Sequence, residues 1–438
     1  MKREYKNVSD VVTWDEDHTL KAYPTLKEDT QADVVVIGGG ISGVLSAYLL
    51  AKEGKKVVLL EKDRIGFGAT GVTTAFITES LDTRPSELVK GLGTIPASII
   101  LNSHEEAILL IESIIRDEKI DCDFTRCENR MYATTAKERN LLKEELRVLK
   151  TLGREASFVG KEENELGFKN EGYLLLEGQA KFHPLKFIGA LLERAKKLGV
   201  EIYENTEALA ILHTSHGKVH SVKTASGNIR ADWVLASTYE PFKHPSSLYF
   251  KKALYTSYVF ELEIERGALS EGIYEDVKSP YHYWRVDAGE KFDRMIVGGE
   301  DHRADIHINE EKCFKALEDF VATTFPKLSY KIVRRWSGPI LESIDGLAYI
   351  GELHPGERVM YAFGFSGNGM TYGAITAQIV VDKVFGRHNV WASLYDVGRS
   401  PGFIMLFEKG IDYSKEFFGG AVKNAFKYSS SVDIGHKK

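Results

Sequence analysis

The chain has 438 residues, enough for two or three domains with buried cores. Hydrophobic residues make up 43% and charged residues 27%, so the composition excludes a disordered or fibrous protein. The formal net charge of −6 provides no basic surface for nucleic acid or for an anionic membrane. Only three cysteines occur, so we expect no disulfides and a reducing, cytoplasmic location. We also expect no bound metal, because the cysteines do not have the spacing of metal ligands.

The first 61 residues predict an arm followed by a βαβ unit. Residues 1–30 are polar and acidic, so we expect an extended arm and no signal peptide. Val34–Leu50 carries no charge, but three consecutive glycines favour a strand, a turn and a helix over a membrane span. The expected elements are a strand over Asp33–Ile37, a helix over Ile41–Glu53 and a strand over Lys56–Glu61.

After residue 61 the sequence predicts further helices and strands. Residues 86–153 have apolar stripes at helical spacing. The β-branched and aromatic segment Ala253–Gly299 predicts an antiparallel sheet. The other predicted elements are helices near Pro184–Leu198, Glu310–Phe325 and Asn368–Phe385, and strands near Asp232–Ser237, Lys331–Trp336 and Arg358–Phe363.

The turn after the first strand fits the pattern G-x-G-x-x-G. Gly38 permits the tight turn, Gly40 lets a pyrophosphate approach the backbone, and Gly43 permits close helix–strand packing. Glu61 lies at the end of the second strand, about 20 residues after the glycine turn. In dinucleotide-binding folds a carboxylate at this position hydrogen-bonds the ribose hydroxyls. The candidate residues are Gly38, Gly40, Ile41, Ser42, Gly43, Glu61 and Lys62. The alternative is a structural glycine turn, but the strand–turn–helix context favours dinucleotide binding.

Two later clusters of small residues favour FAD over NAD. Gly66–Ala75 offers amides and hydroxyls to a longer cofactor, and Gly364–Thr371 opens a helix whose N-terminus suits an anionic flavin edge. Each cluster alone is equally compatible with a plain turn or cap. The candidate FAD-binding residues in them are Gly68, Ala69, Thr70, Thr73, Thr74, Gly364, Gly367, Asn368, Gly369, Met370 and Thr371.

These patterns predict an α/β protein, in which a Rossmann-type FAD-binding domain carries an inserted antiparallel-sheet substrate domain of α+β type. The predicted division is an N-terminal arm over residues 1–30, an FAD-binding domain over 31–85, 180–242 and 337–390, a substrate domain over 86–179 and 243–336, and a C-terminal extension and tail over 391–438.

Several segments resemble the D-amino-acid oxidase superfamily of FAD-dependent oxidoreductases, which includes glycine and sarcosine oxidases. The resemblance runs from about Ala32 to Gly386 and rests on VVVIGGGISGVLSAYLLAKEGKKVVLLE, DWVLAST, RRWSGPILESIDGLAYIGE and GFSGNGMTYG. SDVVTW and GATGVTTAFITES are similar to a bacterial subgroup that often carries a C-terminal Rieske iron–sulfur domain. No cysteine follows Cys313, so we expect that domain to be absent. Because the two flavin clusters contain neither cysteine nor histidine, the resemblance implies non-covalent FAD.

The resemblance also implies a substrate-contacting tyrosine near Tyr281–Arg285. Strand alternation puts Tyr281, Tyr283 and Arg285 on one face, and Arg285 suits a bidentate pair with a substrate carboxylate. We therefore expect these three as catalytic residues, the alternative being ordinary sheet packing with a surface arginine. Glycine oxidases similar to this chain carry a carboxylate-binding arginine in the late glycine loop. This chain has Gly367 there, which argues against a simple amino-acid substrate.

We expect an FAD-dependent oxidoreductase of the amine or amino-acid oxidase or dehydrogenase type. It would oxidise the C–N bond of a small amine or amino acid by hydride transfer to flavin N5, and pass electrons to oxygen or to a separate acceptor. The alternative is a redox-quiet FAD-binding scaffold subunit of a larger complex, and an NAD-dependent dehydrogenase is a third interpretation. We expect no nucleic-acid partner and no transmembrane segment.

Overall fold

The computed structural model describes residues 8–163, 166–213, 219–242, 248, 251–306 and 308–399. The predicted tail from residue 400 onward lies outside the described residues. The described helices are α1 (Thr13–Asp17), α2 (Ile41–Lys52), α3 (Ala69–Val72), α4 (Pro85–Leu92), α5 (Thr94–Glu118), α6 (Ala136–Thr151), α7 (Pro184–Lys197), α8 (Glu310–Thr324), α9 (Gly369–Val384) and α10 (Ala392–Tyr395).

The strands form two sheets. In chain order they are β1 (Thr30–Ile37), β2 (Val57–Leu60), β3 (Phe76–Ile77), β4 (Thr125–Tyr132), β5 (Ala156–Gly160), β6 (Gly172–Lys181), β7 (Glu201–Tyr203), β8 (Ala210–His213), β9 (His220–Lys223), β10 (Asn228–Ala236), β11 (Lys252–Ile264), β12 (Gly272–Glu275), β13 (His282–Asp287), β14 (Asp293–Arg303), β15 (Tyr330–Ser343), β16 (Tyr349–Glu352) and β17 (Val359–Phe363).

The first sheet is built on parallel strands in the order β17, β10, β1, β2 and β7. Antiparallel β16 covers one edge, and the hairpin β8–β9 extends β10. On β1, Val34 and Val36 pack in one hydrophobic core and Val35 and Ile37 in another. The last four residues of the strand are apolar and buried, because both faces of the sheet are covered there, as in other parallel sheets. The predicted βαβ unit and Rossmann-type sheet are therefore confirmed.

The second sheet runs in the order β15, β11, β14, β13, β12, β4, β6 and β3, with β5 on β6. Its neighbours pair antiparallel except for β4 and β12, which confirms the predicted antiparallel sheet. Phe260 and Trp284 pack with Phe314 of α8 in a third core on one face. Strand β15 continues past residue 336, where the predicted domain boundary falls. The division into domains remains our proposal.

The N-terminal arm is anchored on the body of the protein. Ser9 forms a β-bridge with Arg334, and Trp14 is completely buried. Across the described residues, no helix combines the length and apolarity needed to cross a membrane.

Candidate active site

A cavity of about 1280 Å³ is lined by both sheets. The first sheet contributes residues at the carboxyl ends of its parallel strands, where open α/β sheets bind their ligands. These are Gly38, Glu61, Ser237 and Gly364. The second sheet contributes residues of β3, β4, β11, β12, β13, β14 and β15. The volume exceeds the ~300–1,000 Å³ of ordinary ligand pockets, so a large cofactor and a small substrate fit together.

The predicted glycine turn lies at one end of this cavity. Gly38 has φ +112°, and a Cβ there would collide with the carbonyl oxygen of Ser237. A Cβ at Gly43 would collide with the carbonyl oxygen of Gly38, so this glycine permits helix α2 to begin against the turn. Gly38, Gly40, Ile41 and Ser42 line the cavity, whereas Gly43 does not. Gly43 is thus a packing residue rather than a wall of the site.

Glu61 lies beside this turn with its carboxylate fixed. Oε2 accepts a hydrogen bond from the Gly39 amide at 2.7 Å, and Oε1 accepts one from the Asp63 amide at 2.9 Å. Both Glu61 and Lys62 line the cavity, but Lys62 is largely exposed and pairs with Asp63 at 3.7 Å. The glutamate is held ready for a ligand, whereas the lysine lies at the solvent side.

The second predicted cluster forms the short helix α3 and the loop after it. Its candidate residues all line the cavity, namely Gly68, Ala69, Thr70, Thr73 and Thr74. The Thr70 hydroxyl accepts a hydrogen bond from the Ile41 amide at 3.0 Å. This contact joins the second cluster to the start of helix α2.

Four consecutive carbonyls of that loop are held from outside the cavity. The Trp336 indole donates to the Val72 carbonyl at 2.9 Å, and the Trp14 indole donates to the Thr73 carbonyl at 2.7 Å. Arg285 Nη1 donates to the carbonyls of Thr74 and Ala75 at 3.0 and 3.2 Å. The indoles of Trp14 and Trp336 and the guanidinium of Arg285 do not line the cavity. They therefore hold the loop through its carbonyls from the side that faces away from the cavity.

Arg285 lies outside the cavity, where we had expected it to contact substrate. It is 2% exposed and does not line the cavity. Nε and Nη2 donate to the two carboxylate oxygens of Asp287 at 2.9 Å each, and Nη1 also donates to the Phe182 carbonyl at 3.1 Å. Strand alternation places Arg285 on the same face as the tyrosines, but further along the strand than the cavity extends. Its guanidinium binds Asp287 and buried backbone carbonyls, so it has a structural role.

Tyr281 and Tyr283 do line the cavity. Their ring centroids lie 5.4 Å apart, and the Tyr283 hydroxyl is 3.0 Å from the Ser257 hydroxyl. Phe76 packs edge-on against Tyr283 at 5.8 Å. Burial raises the pKa of both tyrosines, so both are neutral phenols near pH 7.

The late glycine loop closes the same cavity where helix α9 begins. Five of its candidate residues line the cavity, namely Gly364, Gly367, Asn368, Gly369 and Met370. The Asn368 side chain donates to the Ser80 carbonyl at 2.7 Å. Thr371 does not line the cavity. Its hydroxyl lies 2.8 Å from His104 Nδ1 and donates to the Asn368 carbonyl at 3.2 Å, so it supports the loop from below.

Five carboxylates that the sequence analysis did not identify line the second-sheet side: Asp82, Glu275, Asp276, Asp301 and Glu342. Asp82 Oδ2 accepts a hydrogen bond from the Gly367 amide at 2.9 Å. Burial raises the pKa of Glu275 to about 7, and burial likewise raises the pKa of Asp301 to about 7. The charge of Asp82 contributes to both shifts, so Asp82 acts on Glu275 and on Asp301.

Residues 33–383 match the family described as FAD dependent oxidoreductase. The chain belongs to this family. The putative Rieske 2Fe-2S iron-sulfur protein YhfW of Bacillus subtilis strain 168 is 29% identical over 433 residues, which cover 97% of this chain and 83% of that protein. Gamma-glutamylputrescine oxidoreductase of Escherichia coli K12 is 25% identical over 390 residues, covering 85% and 88%. The crystal structure of glycine oxidase from Geobacillus kaustophilus shares the fold, with a TM-score of 0.70, 21% identity and 84% and 99% coverage.

As a member of this family, the chain is an FAD-dependent oxidoreductase, and the predicted family, cofactor and fold class are confirmed. The cavity leaves room for the phosphates of a dinucleotide beside Thr70, because the facing residue, Gly40, has no side chain. A Cβ at Gly40 would lie 3.2 Å from the Thr70 hydroxyl oxygen, in the space where a phosphate approaches the start of helix α2.

The features that sequence analysis missed depend on tertiary contacts. Asp82, Glu275 and Asp301 come from three separate segments and belong to no motif. The single signal in the sequence is an acidic residue, Glu275, ending an otherwise apolar strand. Trp14 and Trp336 likewise give no local sign that their indoles hold the loop beside the cavity.

Proposed function

We propose that this chain oxidises the C–N bond of a small amine, with FAD as hydride acceptor. The observation that carries the proposal is one cavity that joins the glycine turn and Glu61 to a wall containing the half-buried Tyr281 and Tyr283. Gamma-glutamylputrescine oxidoreductase and glycine oxidase, which this chain resembles, support a nitrogen-containing substrate.

We assign the cofactor to the residues that line the cavity at its glycine-rich side. In this assignment Gly38 and Gly40 give the pyrophosphate access to the backbone, and Glu61 accepts hydrogen bonds from the ribose. Thr73 and Thr74 line the same cavity, and so does the N-terminus of α9 at Gly369, which favours negative charge. No cysteine or histidine is among the described residues that line the cavity, which supports non-covalent binding.

FAD, when bound, supplies a two-electron acceptor. In the proposed reaction the substrate C–H bond next to nitrogen breaks and its electron pair leaves with the hydrogen as hydride. The nitrogen gives a proton to solvent, and water hydrolyses the imine to a carbonyl compound and a free amine or ammonia. The electrons then pass to oxygen or to a separate acceptor.

The chain's own contribution is to orient the amine and exclude water. The hydroxyls of Tyr281 and Tyr283 are neutral, so they hydrogen-bond an amine without adding charge. Phe76 packs edge-on against Tyr283 and adds an apolar side chain beside that hydroxyl. A dry, oriented site favours transfer from one C–H bond.

Anaerobic mixing of the FAD-loaded protein with a panel of amines and amino acids tests this function. We expect at least one amine to bleach the flavin and to yield the carbonyl product. Tyr283→Phe is expected to slow the bleaching while leaving FAD content unchanged. If no compound bleaches a fully bound flavin, the proposal fails, and the alternative of an FAD-binding scaffold is favoured.

We further propose that the protein works in the cytoplasm. Cys122, Cys127 and Cys313 are all unpaired in the structure, as in proteins of a reducing compartment. The formal net charge of −6 supports a small-molecule substrate and no nucleic-acid partner.

A further inference from the structure

Asp82, Glu275 and Asp301 are three of the five carboxylates that line the substrate side of the cavity, and Asp82 is exposed. Asp82 Oδ2 accepts from the Gly367 amide at 2.9 Å. Glu275 is 5% exposed, and its Oε2 accepts from the Ser80 hydroxyl at 2.8 Å and from the Asn129 amide at 3.1 Å. Asp301 Oδ1 is buried and has no hydrogen-bond donor among the described residues.

No basic side chain neutralises this wall among the described residues that line the cavity. Those basic residues are Lys62, Arg84 and Lys278. Lys62 pairs with Asp63 beside Glu61, at the opposite end. Arg84 pairs with Glu87 and, at 3.6 Å, with Glu145, and Lys278 is exposed.

Neighbouring charged and polar groups add to or oppose the raised pKa values of Asp301 and Glu275. Glu342 and Asp82 raise the pKa of Asp301 further, and the hydroxyl of Ser257 and the side chain of His282 act in the opposite sense. His282 lies between Asp276 and Glu300, at 3.2 and 3.0 Å. Asp82 also acts on Glu275, against its bonds from Asn129, Ser80 and Tyr281. The wall therefore holds more carboxylate than its own donors satisfy.

A buried acceptor without a donor, and the repulsion that Asp82 exerts on Glu275 and Asp301, are costly in the free protein. An ammonium group offsets both costs, because it brings three N–H donors and one positive charge. A carboxylate-bearing substrate would add repulsion instead.

We infer that the substrate carries a second cationic nitrogen, as in a diamine or polyamine, and that Asp82, Glu275 and Asp301 bind it. This inference rests on the proposed function and names its substrate class. The nitrogen undergoing oxidation lies at the other end of the molecule, nearer the cofactor.

Three amines with the same four-carbon chain test the inference, namely putrescine, n-butylamine and γ-aminobutyrate. The readout is the half-saturating concentration for anaerobic flavin reduction or, where no reduction occurs, for the shift in flavin absorbance. We expect putrescine to saturate at an about tenfold lower concentration than butylamine, and γ-aminobutyrate to bind more weakly than butylamine. The preference for putrescine should increase as pH rises through about 7, where Glu275 and Asp301 ionise.

Asp301→Asn should bring the butylamine-to-putrescine ratio close to one, and Asp82→Asn serves if that variant does not fold. Asp305→Asn is the matched control, because Asp305 follows the same strand, pairs with Arg303 at 2.9 Å and does not line the cavity. Equal binding of putrescine and butylamine, or an unchanged ratio in the foldable variant, overturns the inference. Absence of flavin reduction by all three amines with the ratio intact would instead overturn the proposed function, while supporting recognition of a dication.

Discussion

Replacing Arg285 with alanine should destabilise the whole protein rather than weaken one class of substrate. The change removes two hydrogen bonds to Asp287 and three to buried carbonyls. Breaking a buried ion pair costs ~3–5 kcal/mol. Asp287 keeps Lys181 at 2.7 Å and Arg294 at 3.3 Å, so we expect the free energy of unfolding to fall by about 3 kcal/mol, the lower end of that range.

Urea unfolding of the FAD-loaded protein, followed by tryptophan fluorescence, measures this change. Arg147→Ala is the control, because that arginine is 75% exposed and pairs with Glu144 on a helix surface. Its loss should stay below about 0.5 kcal/mol. Arg285→Ala should also affect acidic and neutral substrates equally. A stability loss below about 1 kcal/mol, or weaker binding confined to carboxylate-bearing substrates, would refute the structural role.

Glu61→Ala should weaken FAD binding by about 1.5–3 kcal/mol in titrations of apoprotein, and an unchanged affinity would remove Glu61 from the ribose site. Acid precipitation should release the flavin into the supernatant, whereas flavin in the pellet would mean covalent attachment. Burial raises the pKa of Asp301 in the folded state to about 7, so its contribution to stability is lost as pH rises from about 4 through about 7. Asp301→Asn should therefore gain thermal stability relative to wild type over that interval, and a constant difference would contradict the shift.

The cofactor side of the cavity could be predicted because its signals are local. Gly38, Gly40 and Glu61 lie where a strand, a turn and a helix place them, and each lines the cavity as expected. Gly43 and Thr371 belong to the same motifs but lie behind the wall, since a motif fixes the backbone path and not which side faces a ligand.

The substrate side depends on contacts that no local pattern contains. Alternation correctly grouped Tyr281, Tyr283 and Arg285 on one face, but it carries no information on where the cavity ends along the strand. The guanidinium of Arg285 forms an ion pair with Asp287, two residues further along the strand. Asp82, Glu275 and Asp301 line one cavity although they belong to the loop after β3, to β12 and to β14.

The most direct test of amine oxidation is the rate of anaerobic flavin reduction by putrescine carrying either hydrogen or deuterium on the carbons next to nitrogen. If the C–H bond breaks with transfer to FAD in the cavity beside Tyr281 and Tyr283, the deuterated compound should reduce the flavin several-fold more slowly. Equal rates for the two compounds would contradict C–H cleavage as the slow step. No reduction by putrescine or by any other amine would contradict the oxidation itself.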